Sequence, residues 1–196
     1  MTEAPDFETI VNEWPYGPDH RLIKENIGTV VHIFGRPNSG KTTLRNMLAD
    51  RHPDFKSFCI DDFRRKYGDG TAYGETRAQT FFRMVKYNGS GFYESSGMGF
   101  VTEMTLYDLR NANSFVIVLD TSDEICIDRI NPYKYDGIPF PFSKNPERYI
   151  LRTGEFLNSR EFRMMCEGSK VLWVDGKLPR YEQVDLVERF VGLSNE

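Results

Sequence analysis

The sequence predicts a three-layer α/β/α sandwich: a mainly parallel five-stranded sheet with helices on both faces and a lid. Three observations carry this expectation. Short apolar runs alternate with segments of helical periodicity, the pattern of parallel strands joined by crossover helices. A G-x-x-x-x-G-K-T stretch, Gly35 to Thr42, stands between the apolar run TVVHIF and the helix-like TLRNMLADR. Gly35, Asp61, Glu94 and Asp120 all fall at the ends of predicted strands, the edge at which open parallel sheets bind ligands.

Each element follows from local pattern. Residues 1–27 carry Pro5, Pro15, Gly17 and Pro18 and read as an irregular arm ahead of a single domain over 28–196. Thr29 to Phe34 is the first strand, a helix covers about 40–51, and FKSFCI (55–60) is the second strand. Gly68, Gly70 and Gly74 mark a loop, and Phe81, Phe82 and Val85 give Glu75 to Lys86 a helical period. Phe92 to Glu94 is a short third strand, and a helix is expected over 100–110. SFVIVLD (114–120) is the clearest buried strand, and Ser122 is placed to cap a helix running to Arg129. The stretch 131–146 holds Pro132, Pro139, Pro141 and Pro146 among aromatic residues with little periodicity. It reads as part of a lid over about 129–152, since so long a bare connector is uncommon without a role. A helix over 147–166, the strand KVLWVD and a last helix over 180–191 complete the chain. Trp173 and the Phe81/Phe82 pair are assigned to the core.

Composition narrows the function classes. The chain has 196 residues, 39% of them hydrophobic and 28% charged, which suits one globular α/β domain. No apolar run approaches the ~20 residues of a membrane span, and the acidic start MTEAPDFETI lacks the apolar core of a secretory signal. No membrane partner is therefore expected. Cys59, Cys126 and Cys166 are widely spaced without a C-x-x-C, as for free thiols in a reducing cytoplasm. The net charge of −4 provides no global attraction to nucleic acid, although a local basic cleft can sit on an acidic body. His32 lies within the first strand and reads as a core residue; the histidines do not cluster.

The chemistry is concentrated at two strand ends. Backbone N–H groups of Gly35, Arg36, Pro37's neighbours, Asn38, Ser39 and Gly40 would ring nucleotide phosphates, with the following helix aiming its N-terminus at the same anion. Lys41 would reach the β and γ phosphates, Thr42 would hold Mg²⁺, and Thr43 continues the loop into the helix. The second strand ends in Asp61-Asp62-Phe63-Arg64. A carboxylate at that rim can accept the proton of an attacking hydroxyl, and an arginine three residues on can clamp an anion. The same residues also suit a solvated turn with aspartate in the first turn of a helix. Asp120 imitates a Walker B aspartate, but Thr121 follows it rather than glutamate; a structural role, capping the next helix, is favoured.

With the G-x-x-x-x-G-K-T loop followed by Ile60-Asp61-Asp62-Phe63-Arg64, the chain resembles the P-loop kinases, and most closely their 5′-polynucleotide kinase branch. The resemblance covers roughly residues 29–135. It implies ATP and Mg²⁺ as cofactors, Asp61 as general base and Arg64 as clamp on an acceptor phosphate. It further places Asp62 and Glu94 beside the acceptor, and Arg129 with a second lid cation against the transferring phosphoryl group. Lys134, Arg148 and Arg152 are the candidates for that second cation. The implied acceptor is a hydroxyl of DNA or RNA, at a 5′ end or on a hydroxymethylated base. The latter is the activity of a bacteriophage offshoot, which would act in the host cytoplasm. A nucleoside or other small-molecule kinase is the alternative, and the acidic net charge leans towards it. A GTP-dependent switch needs N-K-x-D and D-x-x-G, neither of which occurs, and an ATPase motor needs a D-E Walker B pair, where this chain has Asp120 followed by Thr121.

Overall fold

The structure, a computed structural model, describes residues 28–85, 89–98, 113–131 and 145–193. The expected arm, the helix over 100–110, Lys134 and the aromatic residues of the 131–146 stretch lie outside them. Five strands, β1 (Val30–Gly35), β2 (Lys56–Cys59), β3 (Gly91–Glu94), β4 (Ser114–Asp120) and β5 (Lys170–Asp175), form one sheet in the order β2-β3-β1-β4-β5. Every pairing is parallel. All five carboxyl ends therefore lie on one edge. β1 is central, with Ile33 in register with Glu94 on one side and Gly35 with Leu119 on the other.

Alternation along β1 sorts the layers. Val31 and Ile33 pack with Leu44 and Leu48 of α1 (Lys41–Arg51) and with Val184 and Val187 of α7 (Arg180–Val191). Phe34, with Val116 and Val118 of β4, packs on the other face against Leu157 of α5 (Pro146–Asn158) and Phe162 of α6 (Arg160–Met165). A third cluster joins Val30, Phe58 and Tyr93 to Phe63 of α2 (Ile60–Tyr67) and Phe82 of α3 (Ala72–Val85). The short helix α4 (Asp123–Asp128) follows β4. Each fully buried Leu or Phe contributes about 1.5–3 kcal/mol through removal of apolar surface from water, so the sandwich is held by all three clusters together.

Departures from expectation have local causes. α2 begins at Ile60, directly after β2, which puts Asp61 and Asp62 in its first turn, where carboxylates suit the helix dipole. α3 begins three residues ahead of Glu75 and includes Gly74. There the Thr71 hydroxyl accepts from Gly74 N at 3.0 Å, and a Cβ on Gly74 would lie 2.2 Å from Asp69 Oδ1. The helix expected over 147–166 is two helices: Ser159, with ψ of 155°, breaks it, and its hydroxyl caps α6 by accepting from Phe162 N at 3.1 Å. Trp173 is 41% exposed, against the core assignment, because β5 is an edge strand; Phe82 is fully buried as expected. Buried His32 packs beside the rings of Phe34 and Tyr93. The three cysteines are free thiols.

Candidate functional site

A cavity of about 320 Å³ opens at the carboxyl edge of the sheet. It lies where β1 turns into α1 and where β2 and β3 end. Its walls join Lys41 and Thr42 from the loop, Asp61 and Arg64 from α2, Glu94 from β3, Ser95 and Ser96 just beyond it, and Arg129 and Arg180.

The loop is built by conformations that few side chains permit. Asn38 has φ of 62°, and Gly40, which precedes the first turn of α1, has φ of 102°. A Cβ on Gly35 would lie 2.8 Å from the carbonyl of Leu119, so glycine is needed where β1 runs tightly beside β4. Lys41 is 7% exposed and its Nζ donates to the Arg36 carbonyl at 2.6 Å, folding back over the loop. The loop is also clasped from β4 and α4. Thr121 Oγ1 donates to Ser39 O at 3.1 Å, Asn38 Nδ2 to Cys126 O at 3.2 Å, and Arg129 Nη1 to Asn38 O at 3.3 Å.

The residues present fit a magnesium nucleotide. Buried Ser39 Oγ and Glu94 Oε2 make no hydrogen bond among the described residues, and the N-terminus of α1 faces the cavity. The Thr42 hydroxyl donates to Glu94 Oε1 at 2.8 Å, while Arg45 Nη1 lies 3.6 Å from Glu94 Oε2. Thr42 and Glu94 together make an oxygen pair suited to Mg²⁺ or its water. Arg45, inside α1, was not singled out by sequence; a helical arginine carries no signal of burial.

Across the cavity, Arg64 Nη1 donates to Asp61 Oδ1 at 2.8 Å. Its other edge is filled by Glu75 of α3, with Nη2 to Oε1 at 2.7 Å and Nε to both carboxylate oxygens at 3.1 and 3.0 Å. Burial alone would depress the Arg64 pKa, but Glu75 and Asp61 outweigh it and hold the guanidinium firmly charged. The expected anion clamp thus has an internal carboxylate on its fork. In the sequence Glu75 marks only the start of a helix, since its distance of 11 residues from Arg64 becomes a contact only when α2 and α3 pack. Burial raises the Tyr149 phenol, whose oxygen lies 3.2 Å from Ser96 Oγ.

Other expected site residues fall elsewhere. The Arg36 side chain turns away from the cavity to Asp123 and, at 3.1 Å, to Asp120. Asp120 therefore anchors the loop rather than capping α4, a task performed by Ser122. Asp62 pairs with Arg65 at 3.0 Å and does not line the cavity, because Asp61 and Asp62 are consecutive on a helix and point apart. Arg148 and Arg152 are exposed and do not line it either; the inner face of α5 carries Ile150, Thr153, Gly154 and Leu157. Arg180, unremarked in the sequence, does line it. Its guanidinium packs on Gly40, and burial together with Arg129 lowers its pKa.

No family model matches the sequence, and no curated protein matches it. Solved structures do. A shikimate kinase from Acinetobacter baumannii in complex with shikimate superposes with a TM-score of 0.59 at 16% identity, over 88% of this chain and 97% of that one. A sugar kinase from Janibacter gives 0.57 at 16% identity, over 85% and 96%. A deoxyadenosine kinase from M. mycoides gives 0.50 at 14%, over 83% and 98%. With a parallel sheet in the order β2-β3-β1-β4-β5 and the G-x-x-x-x-G-K-T loop between β1 and α1, the chain has the fold of the P-loop kinases.

Proposed function

We propose that this chain is an ATP- and Mg²⁺-dependent kinase that transfers the γ-phosphoryl group to a hydroxyl of a small molecule. The observation that carries the reading is one cavity lined by Lys41 and Thr42 of the loop together with Asp61 of α2. A loop that only held or switched on a nucleotide has no use for a carboxylate at the acceptor rim. Residues 28–196 act as one kinase domain, with 129–152 as its lid.

Each residue then has a task. The loop N–H groups and Lys41 bind the β and γ phosphates and draw them into line. Thr42 and Glu94 hold the cation, which when bound neutralises charge on the phosphates. Asp61 accepts the proton of the attacking hydroxyl, with Arg64 fixing its orientation. Arg129 and Arg180 stand at the loop end, where negative charge is held. The small-molecule acceptor is preferred because the similar folds are kinases of a sugar, shikimate and deoxyadenosine. The Asp61-Asp62-Phe63-Arg64 pattern favours a second reading, a 5′-hydroxyl end or hydroxymethyl base in nucleic acid.

The test is transfer of labelled γ-phosphate from ATP to nucleosides, sugars, alditols, 5′-hydroxyl DNA and RNA, and hydroxymethyluracil-containing DNA. Label on small acceptors is expected; label on polynucleotides alone would install the second reading. Asp61→Asn is expected to lower transfer by about 10²–10⁴-fold with ATP affinity nearly unchanged. Equal loss of both would make Asp61 a structural or metal-side residue.

A further inference from the structure

The two ends of the cavity differ in charge. Lys41, Arg129 and Arg180 line the loop end, where Glu94 bonds Thr42, whereas beyond them the lining is Asp61, Ser95, Ser96 and, as its one cation among the described residues, Arg64. Arg64 does not offer its charge to a ligand. Glu75 accepts from both Nε and Nη2, the parallel pair of donors that a carboxylate or phosphate would require. Asp61 accepts from Nη1. Glu75 is itself fixed, because Gln79 Nε2 donates to its Oε1 at 2.7 Å, and its side chain is only 13% exposed. Glu94 is matched by Arg45, so around Asp61, Arg64 and Glu75 one carboxylate is left in excess.

We propose, resting on the kinase reading, that the acceptor is an uncharged polyhydroxyl compound of the sugar or nucleoside kind. It carries no carboxylate or phosphate beside the reacting hydroxyl, and Glu75 is the residue that sets this preference. An anionic acceptor must displace Glu75 from Arg64 or lie against Asp61, and either brings like charges together in a partly dry site. A neutral acceptor meets no such repulsion. Its reacting hydroxyl donates to Asp61, and its other hydroxyls exchange hydrogen bonds with Ser95 and Ser96, the latter backed by the Tyr149 hydroxyl. Glu75 touches no substrate atom; it acts through Arg64.

Matched acceptor pairs decide the matter. Thymidine is compared with thymidine 3′-monophosphate, and sorbitol with gluconate, each with labelled ATP and Mg²⁺. The neutral member is expected to have the higher kcat/KM by about tenfold or more. Glu75→Gln, which keeps the shape and removes the charge, is expected to shrink that ratio about tenfold through the KM of the anionic member, with the KM for ATP unmoved. Preference of the wild type for the anionic members overturns the inference while leaving the kinase reading intact. So does a ratio unmoved in a Glu75→Gln protein that melts normally. If that variant fails to fold, the wild-type ratio decides alone. ATP binding without label on any acceptor sinks the kinase reading, and this inference with it.

Discussion

Arg45 and Glu94 show how a single buried pair ties stability to the site. Both side chains are under one-tenth exposed, and Arg45 Nε and Nη1 make no hydrogen bond among the described residues. Breaking such a pair leaves a buried charge uncompensated, whereas removing both charges is far milder. Glu94→Gln is expected to cost ~3 kcal/mol and Arg45→Met a similar amount, while the double variant costs at least ~1 kcal/mol less than the two together. Urea denaturation of the four proteins measures this; strictly additive losses would mean that the pair is not coupled. Asp62 provides a pH test. Burial raises its carboxyl above the ordinary 3.8, so the folded protein binds this proton more tightly than the unfolded chain. Its contribution therefore falls as pH rises from about that value. Asp62→Asn is expected to raise the melting temperature at pH 7, with the gain gone below pH 3.8. The partner Arg65 is half exposed, and losing that pair costs little. The sequence marks Asp61 and Arg64 as base and acceptor clamp, whereas the structure bonds them to each other. Glu75 is not legible there, because nothing local marks a glutamate whose partner sits on another helix.

At the level of elements, the loop between β1 and α1 is held by contacts that the motif does not contain. Thr121, at the start of the β4–α4 turn, is fully buried and ties its hydroxyl to Ser39 O. A Cβ on Gly176, beyond β5, would lie 1.9 Å from that hydroxyl and 3.0 Å from Asp120 O. The ends of β4 and β5 thus brace the loop from behind. Thr121→Val keeps the shape and deletes the donor. It is expected to cost ~1 kcal/mol of stability and to weaken ATP binding several-fold, seen by calorimetry. A variant with lowered stability and unchanged ATP affinity would show that the brace does not set loop geometry. The break between α5 and α6 belongs to the same scale. Helical periodicity runs through Ser159, and only the serine's preference for capping marks the turn.

The whole molecule is a binding machine only if ligand and fold are linked. A nucleotide held by the loop, Arg129 and Arg180 draws on β1, α1, α4 and α7 at once. At a hundredfold excess over Kd, ATP with Mg²⁺ is expected to add about 2.7 kcal/mol, or roughly 5–10 °C in melting temperature for a domain of this size. Thermal melts with and without ATP·Mg²⁺ measure the shift, and Lys41→Met should nearly abolish it. An unchanged wild-type melt at saturating ATP would exclude the loop as the nucleotide site. Among the described residues no helix is long and apolar enough to cross a membrane.

The sequence by itself determined the layers and the glycine-rich turn between β1 and α1. Strand and helix periodicity, the glycines at 35 and 40, and the carboxylate after the second strand are all local signals, set by backbone sterics and by which faces must leave water. Helix α7 and strands β4 and β5 were readable to the residue for that reason. The tertiary structure decided what the charged residues do. Arg36, Arg64, Arg45 and Asp120 each find a partner from another element, at sequence separations from 11 to 87 residues, which no local pattern encodes. That is why a predicted anion clamp became an internally neutralised arginine, and why the acceptor was the part of the function least visible in the sequence.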